Sequence, residues 1–147
     1  MGIISRFPAG ATKPYIEETY NSDGQLIDAK MYGHETIRAY AFYYCPSLAS
    51  TTLPSGITNI DNSAFAVCTN LALTTLPSGI TNISDYAFVE CSSLVSLTFE
   101  GTPENIGASA FADCNNLTTI NVPWAKGAVA NAPWGATNAT IHYGYRG

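Results

Sequence analysis

Cysteine is the residue type in this chain best suited to metal or redox chemistry, and four cysteines recur at intervals of 23 residues: Cys45, Cys68, Cys91 and Cys114. Zinc sites usually contain closely spaced pairs such as C-x-x-C, which this spacing does not provide. Each cysteine instead lies within an apolar pattern, where a free thiol behaves as a small buried hydrophobe. We therefore predict four buried thiols and no metal site. The alternative, disulfides between neighbouring cysteines, requires Cα separations near ~5.5 Å.

No other set of residues forms a catalytic pattern. His34 and His142 lie near opposite ends of the chain, whereas a nucleophile needs a base beside it and a third group that orients the base. Six carboxylates could in principle supply a glycosidase pair, but none belongs to a motif: Asp61, Asp85, Glu90, Glu100, Glu104 and Asp113. The sequence therefore predicts no enzyme activity and no cofactor.

The 23-residue interval extends to further apolar columns, so the chain contains four copies of one repeat. Residues 51–60 and 74–83 are the same ten residues, TTLPSGITNI. The recurring isoleucine, phenylalanine, cysteine and leucine form the predicted structural core: Ile37, Phe42, Cys45, Leu48, Ile60, Phe65, Cys68, Leu71, Ile83, Phe88, Cys91, Leu94, Ile106, Phe111, Cys114 and Leu117. A unit this small cannot bury its apolar residues alone, and the copies are expected to stack as a solenoid.

Two periodicities occur within each copy. From Ile37 to Leu48 the apolar residues fall at intervals of three and four, which predicts a short helix. Alternation follows, as at Leu97 and Phe99, and predicts a short strand that ends at or near a proline in three of the copies. The expected fold is an α/β solenoid with a short parallel sheet and short helices.

The pattern A-F-x-x-C-x-x-L followed by x-x-[I/L]-x-[I/V/L]-P resembles the BspA-type leucine-rich repeats over residues 37–123. That resemblance implies a short parallel sheet on one face and helical or irregular turns on the other. Thr51 and Thr74 stand where the family prefers an aliphatic residue, so those strands are expected to bury less. Pro103 replaces the aliphatic of the corresponding corner in earlier copies, and this corner is expected to be remodelled.

The ends of the chain break the period and define the remaining organisation. Residues 1–14 are predicted to form an N-terminal arm, and residues 15–36 a β-hairpin that caps the solenoid of residues 37–123. Residues 124–147 contain Trp124, Trp134 and an alternating segment, and are predicted to form an aromatic and strand cap.

Two adjoining columns of strand residues are predicted to face outward and to form a partner-binding face: Thr52, Thr75, Thr98 and Asn121 in one column, and Ser50, Leu73, Ser96 and Thr119 in the other. Parallel strands about 4.8 Å apart would align their polar groups as ladders. Solenoids commonly bind partners along such surfaces, here a glycan or a protein. The alternative is that threonine simply favours strands.

Assembly contacts are predicted near the N-terminus, where apolar and aromatic residues fall outside the repeats: Ile3, Ile4, Phe7 and Tyr15. Tyrosines on the predicted helical side are further candidates, since aromatic residues are enriched at interfaces: Tyr40, Tyr43, Tyr44 and Tyr86. A homo-oligomer is expected.

Charge and hydropathy narrow the possible partners. The formal net charge is −5, and every Lys and Arg lies outside residues 39–125, whereas nucleic-acid binding requires clustered basic residues. Neither a signal-peptide pattern nor an apolar run of ~18 residues is present, so no membrane insertion and no export are expected.

The layout of the whole chain resembles small repeat-bearing virion proteins of gut Firmicutes phages, through its arm, hairpin, repeats and A-P-W-G-A-x-x-A-T-I-x-Y ending. This resemblance implies a head-fibre, tail-fibre or decoration protein that is made in the bacterial cytoplasm and binds capsid or tail proteins. The alternative is a bacterial surface adhesin or protein-binding module, against which the missing export pattern counts.

Overall fold

The computed structural model describes residues 2–5 and 14–147 of the chain. Among these residues it contains twelve β-strands and no helix. In chain order the strands are β1 Gly2–Ser5, β2 Tyr15–Tyr20, β3 Leu26–Tyr32, β4 Thr36–Ile37, β5 Ser50–Thr52, β6 Asn59–Ile60, β7 Thr75–Leu76, β8 Asn82–Ile83, β9 Ser96–Phe99, β10 Asn105–Ile106, β11 Thr119–Asn121 and β12 Thr140–His142.

Each repeat forms one coil of a solenoid, and coils 1 to 4 begin at Ile37, Ile60, Ile83 and Ile106. Strands β4, β6, β8 and β10 pair in parallel, so that Ile60 lies between Ile37 and Ile83. A second parallel sheet has the order β12-β11-β9-β7. The predicted solenoid is confirmed, with equivalent residues of successive coils in register.

The predicted short helices are wrong, because the segments that follow β4, β6, β8 and β10 are stacks of turns. The Phe42 N–H donates to the Ala64 carbonyl of the next coil at 2.7 Å, and the Ala41 N–H closes a turn onto Arg38 at 3.1 Å. Positive φ recurs at two positions in the first three copies: Tyr40 and Tyr44, Ser63 and Val67, Tyr86 and Glu90. Left-handed residues at these intervals end a helix before it completes a turn. Alternate amides therefore bond between coils.

The core is a column of four phenylalanines. Neighbouring ring centroids from Phe42 through Phe65 and Phe88 to Phe111 are 5.2, 5.3 and 5.3 Å apart, and the rings are within 11° of parallel. All sixteen residues of the predicted core are buried except Cys45. Cys45 is half-buried because no coil precedes it, and it lines a small cavity beside Gln25 and Leu26 of the hairpin.

The predicted N-terminal hairpin is confirmed. Strands β2 and β3 pair in antiparallel fashion, and the Asn21 side chain accepts the N–H groups of Asp23 and Gln25 in the turn at 3.0 and 2.9 Å. Strand β3 then pairs in parallel with β5, which makes the hairpin a continuation of coil 1. Strand β1 pairs with the outer edge of β2, so residues 2–5 extend this sheet, and residues 6–13 of the predicted arm lie outside the described residues.

Two buried tryptophans form the C-terminal cap. The Trp124 ring lies edge-on to Phe99 at 5.2 Å and to Trp134 at 6.1 Å. The Trp134 carbonyl accepts the Phe111 N–H at 2.9 Å, and β12 pairs with β11. The cap thus continues both the turn stack and the sheet of the repeats.

The corner after β9 differs from its counterparts, as expected. Pro103 is buried where the earlier corners bury Ile57 and Ile80. Gly101 lies so close to the preceding coil that a Cβ there would come within 2.8 Å of the Ser78 Cα. The absence of a side chain at Gly101 therefore allows this corner to pack directly on the one before it.

One face of the solenoid carries the strands β5, β7, β9 and β11, which we call the face strands. Their pairing is interrupted between coils 1 and 2. Strand β5 pairs with β3, β7 pairs with β9, and no Cα of β5 lies within 8 Å of a Cα of β7. Thr74 is exposed and Thr51 half-buried, whereas the equivalent Leu97 and Ile120 are fully buried. The expectation that the two threonine strands bury less is confirmed, and the face strands separate where it applies.

Candidate functional site

Most of the predicted partner-binding face lies on one sheet. Thr98 is aligned with Thr75 on one side and with Asn121 on the other, and Ser96 is aligned with Thr119. The Asn121 amide donates to the Thr98 hydroxyl at 3.1 Å. These five polar residues form an in-register array, which we call the polar ladder.

The remaining residues of the predicted face lie elsewhere. Ser50 and Thr52 are on β5, across the division from Thr75, and the Ser50 hydroxyl donates to Asp28 of the hairpin at 2.6 Å. Leu73 was expected to face outward, but it is half-buried and packs against the core. The physical reason is that Leu73 is apolar and gains by burying part of its surface, whereas the equivalent positions hold Ser50, Ser96 and Thr119.

A second ladder, the asparagine ladder of Asn59, Asn82 and Asn105, was not predicted from the sequence. The Asn82 amide donates to the Asn59 side-chain oxygen at 2.6 Å, and the Asn105 amide donates to that of Asn82 at 2.7 Å. The signal was present, because each asparagine directly precedes a core isoleucine of the repeat. These bonds join coils 1, 2 and 3 on the sheet of β4, β6, β8 and β10.

The thiols join successive coils. The Sγ atoms of Cys68, Cys91 and Cys114 donate to the carbonyls of the phenylalanines 26 residues earlier at 3.1, 3.1 and 3.0 Å. All four cysteines are free. Burial raises the pKa of Cys68 to about 12 and that of Cys114 to about 11, and it also raises the pKa of Cys91. Thiols with raised pKa values are poor nucleophiles, so these three groups are structural.

The titratable side chains are not brought together. His34 is half-buried beside a cavity of about 250 Å³ between the hairpin and coil 1, and His142 is exposed on β12 at the other end. Asp61 accepts the Asn62 N–H at 2.7 Å, and Asp85 accepts the Ser109 N–H at 3.1 Å. Within residues 2–5 and 14–147, no three His, Cys, Asp or Glu side chains are placed to hold a metal ion.

Of the predicted assembly contacts, Tyr15 stacks on Tyr32 with ring centroids 4.6 Å apart. Ile3 and Ile4 lie on β1, but their side chains and the whole of Phe7 are outside the described part of the structure. The four tyrosines of the turn side are exposed by 48 to 65%: Tyr40, Tyr43, Tyr44 and Tyr86. In the described residues, no helix is long and apolar enough to cross a membrane.

Comparisons with known proteins agree on the repeat. The family model described as "BspA type Leucine rich repeat region (6 copies)" matches residues 35–128. A leucine-rich repeat protein from Bacteroides ovatus ATCC 8483 is 28% identical with a TM-score of 0.73, over 84% of this chain and 31% of that one. A leucine rich cell surface protein from Faecalibacterium prausnitzii A2-165 is 23% identical with a TM-score of 0.58, over 76% of this chain and 38% of that one.

The chain thus spans about a third of the length of each of these structures. No curated protein matches the sequence. The family match covers well over half of the chain, and it coincides with the four coils seen in the structure. The protein belongs to the BspA-type leucine-rich repeat family.

Proposed function

We propose that the protein is a non-enzymatic adhesion module that binds a glycan or a protein through the polar ladder. The observation that carries this proposal is the in-register alignment of Thr75, Thr98 and Asn121 on three paired strands. Their hydroxyl and amide groups recur at the strand spacing of about 4.8 Å, which suits an extended ligand. Backbone ladders hold these groups in place, so little ordering is needed on binding.

We further propose that this module is a component of a phage particle, as a fibre, decoration or receptor-contacting protein, attached to capsid or tail proteins through its N-terminal region. The resemblance of the whole layout to virion proteins supports this location. Exposed Tyr40, Tyr43 and Tyr44 on the turn side provide aromatic surface of the kind enriched at subunit interfaces, which supports a homo-oligomer.

A bacterial surface adhesin is the alternative, and membership of the BspA-type family favours it. Both roles use the same face, so location distinguishes them. With an antibody raised against the chain, the virion proposal predicts signal in gradient-purified particles that co-migrates with capsid proteins. Signal in the washed cell envelope, with none in the particles, would support the adhesin.

The adhesive role can be tested on glycan and protein arrays. Ser96→Arg places a bulky cation on the polar ladder at an exposed position, and Ala108→Arg adds the same side chain at an exposed position on the turn side. We expect Ser96→Arg to lose array binding and Ala108→Arg to keep it. Equal binding by the two variants would exclude the polar ladder as the site, and no binding by the unmodified chain would exclude an adhesive role.

A further inference from the structure

The division between β5 and β7 is wider than the spacing of two paired strands. Neighbouring strands in a sheet lie about 4.8 Å apart, so two strands that flank a third are about 9.6 Å apart. No Cα of β5 lies within 8 Å of a Cα of β7, although they are successive strands of the same face.

The opening is local, because coils 1 and 2 are bonded on both sides of it. The Ala72 N–H donates to the Ala49 carbonyl at 3.1 Å just before the two strands, and the Thr81 N–H donates to the Thr58 carbonyl at 2.7 Å after them. A cavity of about 380 Å³ lies between. We call it the slot, and its lining residues are Thr51, Thr52, Leu53, Ser55, Leu73, Thr75, Pro77 and Glu100.

Backbone groups on the edges of the slot are not bonded across it. Between the next two coils, the Thr98 N–H donates to the Thr74 carbonyl at 2.9 Å. The equivalent pair one coil earlier is the Thr75 N–H and the Thr51 carbonyl, which cannot bond because the Cα atoms are more than 8 Å apart. The slot thus presents a donor on one edge and an acceptor on the other, in the arrangement that a strand normally meets.

The slot is held open from the hairpin side. The Thr51 hydroxyl donates to the Ala29 carbonyl at 2.9 Å, and the Ser50 hydroxyl donates to Asp28 at 2.6 Å, which ties β5 to β3. Leu53 and Leu73 are half-buried and pack against the core beneath. The slot therefore has polar edges and a partly apolar base.

We propose that the slot binds one extended segment of a partner polypeptide, which pairs through its backbone with both β5 and β7 and places a lysine or arginine near Glu100. Strand addition of this kind takes its affinity from main-chain hydrogen bonds and its specificity from alternate side chains. Among the residues that line the slot Glu100 alone is charged, so a lysine or arginine of the partner meets a carboxylate there, while Arg146 lines the adjoining cavity on the other side of Glu100. This site adjoins the polar ladder and shares Thr75 with it, through the Thr75 N–H in the slot and the Thr75 hydroxyl in the ladder.

The test uses a library of random heptapeptides and two variants of Thr75. Thr75→Pro removes the N–H that faces the slot, and a proline is tolerated at the edge of a sheet. Thr75→Val keeps that N–H and removes only the hydroxyl. We expect the library to yield peptides that bind the unmodified chain and Thr75→Val equally but Thr75→Pro at least about tenfold more weakly, the effect of losing a main-chain hydrogen bond in a desolvated site.

Two matched probes complete the design. N-methylation of alternate backbone amides in a selected peptide leaves its side chains unchanged and should abolish binding to the unmodified chain. This probe tests main-chain pairing independently of any loss of stability in Thr75→Pro. Glu100→Gln should weaken peptides that contain lysine about threefold and leave neutral ones unchanged. The proposal is wrong if no library peptide distinguishes the unmodified chain from Thr75→Pro, or if glycans bind the slot and depend on the Thr75 hydroxyl.

Discussion

The boundary between coils 1 and 2 and the boundary between coils 3 and 4 are built from the same repeat but differ on one face. At the later boundary, β9 and β11 pair over buried Leu97 and Ile120. At the earlier one, Thr51 and Thr74 occupy those positions and the face strands are apart. In this solenoid the face strands separate where a threonine occupies the core position in both neighbouring coils, whereas β7 still pairs with β9 and β5 with β3.

The opposite side of the molecule shows no such difference. Strands β4 and β6 pair as β8 and β10 do. The stacking distance from Phe42 to Phe65 is 5.2 Å, against 5.3 Å from Phe88 to Phe111. The separation is thus confined to the face and does not extend into the core.

The largest expected effect tests whether the core is equally strong at both boundaries. Phe65 and Phe88 are fully buried and each stacks between two rings. Phe65→Ala and Phe88→Ala should each lower the free energy of unfolding by about 3–5 kcal/mol, because each leaves a cavity in the column. Urea unfolding measures both. A loss for Phe65→Ala less than half that for Phe88→Ala would show that the separation reaches the core.

A smaller effect comes from exchanging the residues that distinguish the boundaries. Leu97→Thr should cost about 2–4 kcal/mol, because it removes a buried aliphatic side chain and buries a hydroxyl. It should also speed hydrogen exchange of the Thr98 N–H, which in the unmodified protein donates to the Thr74 carbonyl. The reverse change, Thr74→Leu, should alter stability by less than about 1 kcal/mol, since Thr74 is exposed. A Thr98 amide that stays protected in Leu97→Thr would contradict the link between packing and pairing.

The dependence of stability on alkaline pH tests whether Cys68, at the boundary of coils 1 and 2, and Cys114, at the boundary of coils 3 and 4, are equally buried. Burial raises the pKa of Cys68 to about 12 and of Cys114 to about 11, whereas thiols in the unfolded chain titrate near ~8.5. Above that value the unfolded chain releases protons that the folded chain keeps, so stability falls with rising pH by at most about 1.4 kcal/mol per unit for each thiol.

Urea midpoints at pH 8, 9 and 10 measure this slope. Cys68→Ser and Cys114→Ser each remove one titrating thiol and retain a donor toward the phenylalanine carbonyl of the preceding coil. Both variants should reduce the loss of stability per pH unit. Cys68→Ser tests the divided boundary between coils 1 and 2, and Cys114→Ser tests the boundary between coils 3 and 4, where the face strands pair. An unchanged slope in either variant would show that its thiol already ionises in the folded chain.

The smallest effect concerns the asparagine ladder, which crosses the divided boundary without interruption. Asn59 and Asn105 are each joined to Asn82 by one hydrogen bond between side-chain amides. Asn59→Ala and Asn105→Ala should therefore each cost about 0.5–1 kcal/mol in thermal or urea unfolding. No measurable loss for Asn59→Ala beside a clear loss for Asn105→Ala would show that on this sheet the divided boundary is weaker than the boundary between coils 2 and 3.

The stacked core was predictable from the sequence because a strict repeat forces equivalent residues into register. The helix was not excluded, since apolar spacings of three and four suit both a helix and these turns. The positions with positive φ are occupied by residues such as Tyr40 and Val67. A left-handed backbone is normally predicted from glycine or asparagine, so these turns could not be recognised from the sequence.

The candidate site was predictable only in part. Thr51 and Thr74 could be recognised as poor core residues, but the separation of the strands also depends on how β5 pairs with the hairpin, which lies far away in sequence. Leu73 contacts the core at a position where the repeat predicts an outward side chain, because the repeat position does not show that this copy holds an apolar residue beside the core.

The two identical decapeptides, residues 51–60 and 74–83, lie at the same place in successive coils. Unequal recombination between the coding sequences of these decapeptides would remove or duplicate one whole 23-residue unit and leave both caps intact. Each such event shortens or lengthens the molecule by about 4.8 Å, one strand spacing. Evolution can therefore adjust the reach of this protein in discrete steps, without designing a new interface at either end.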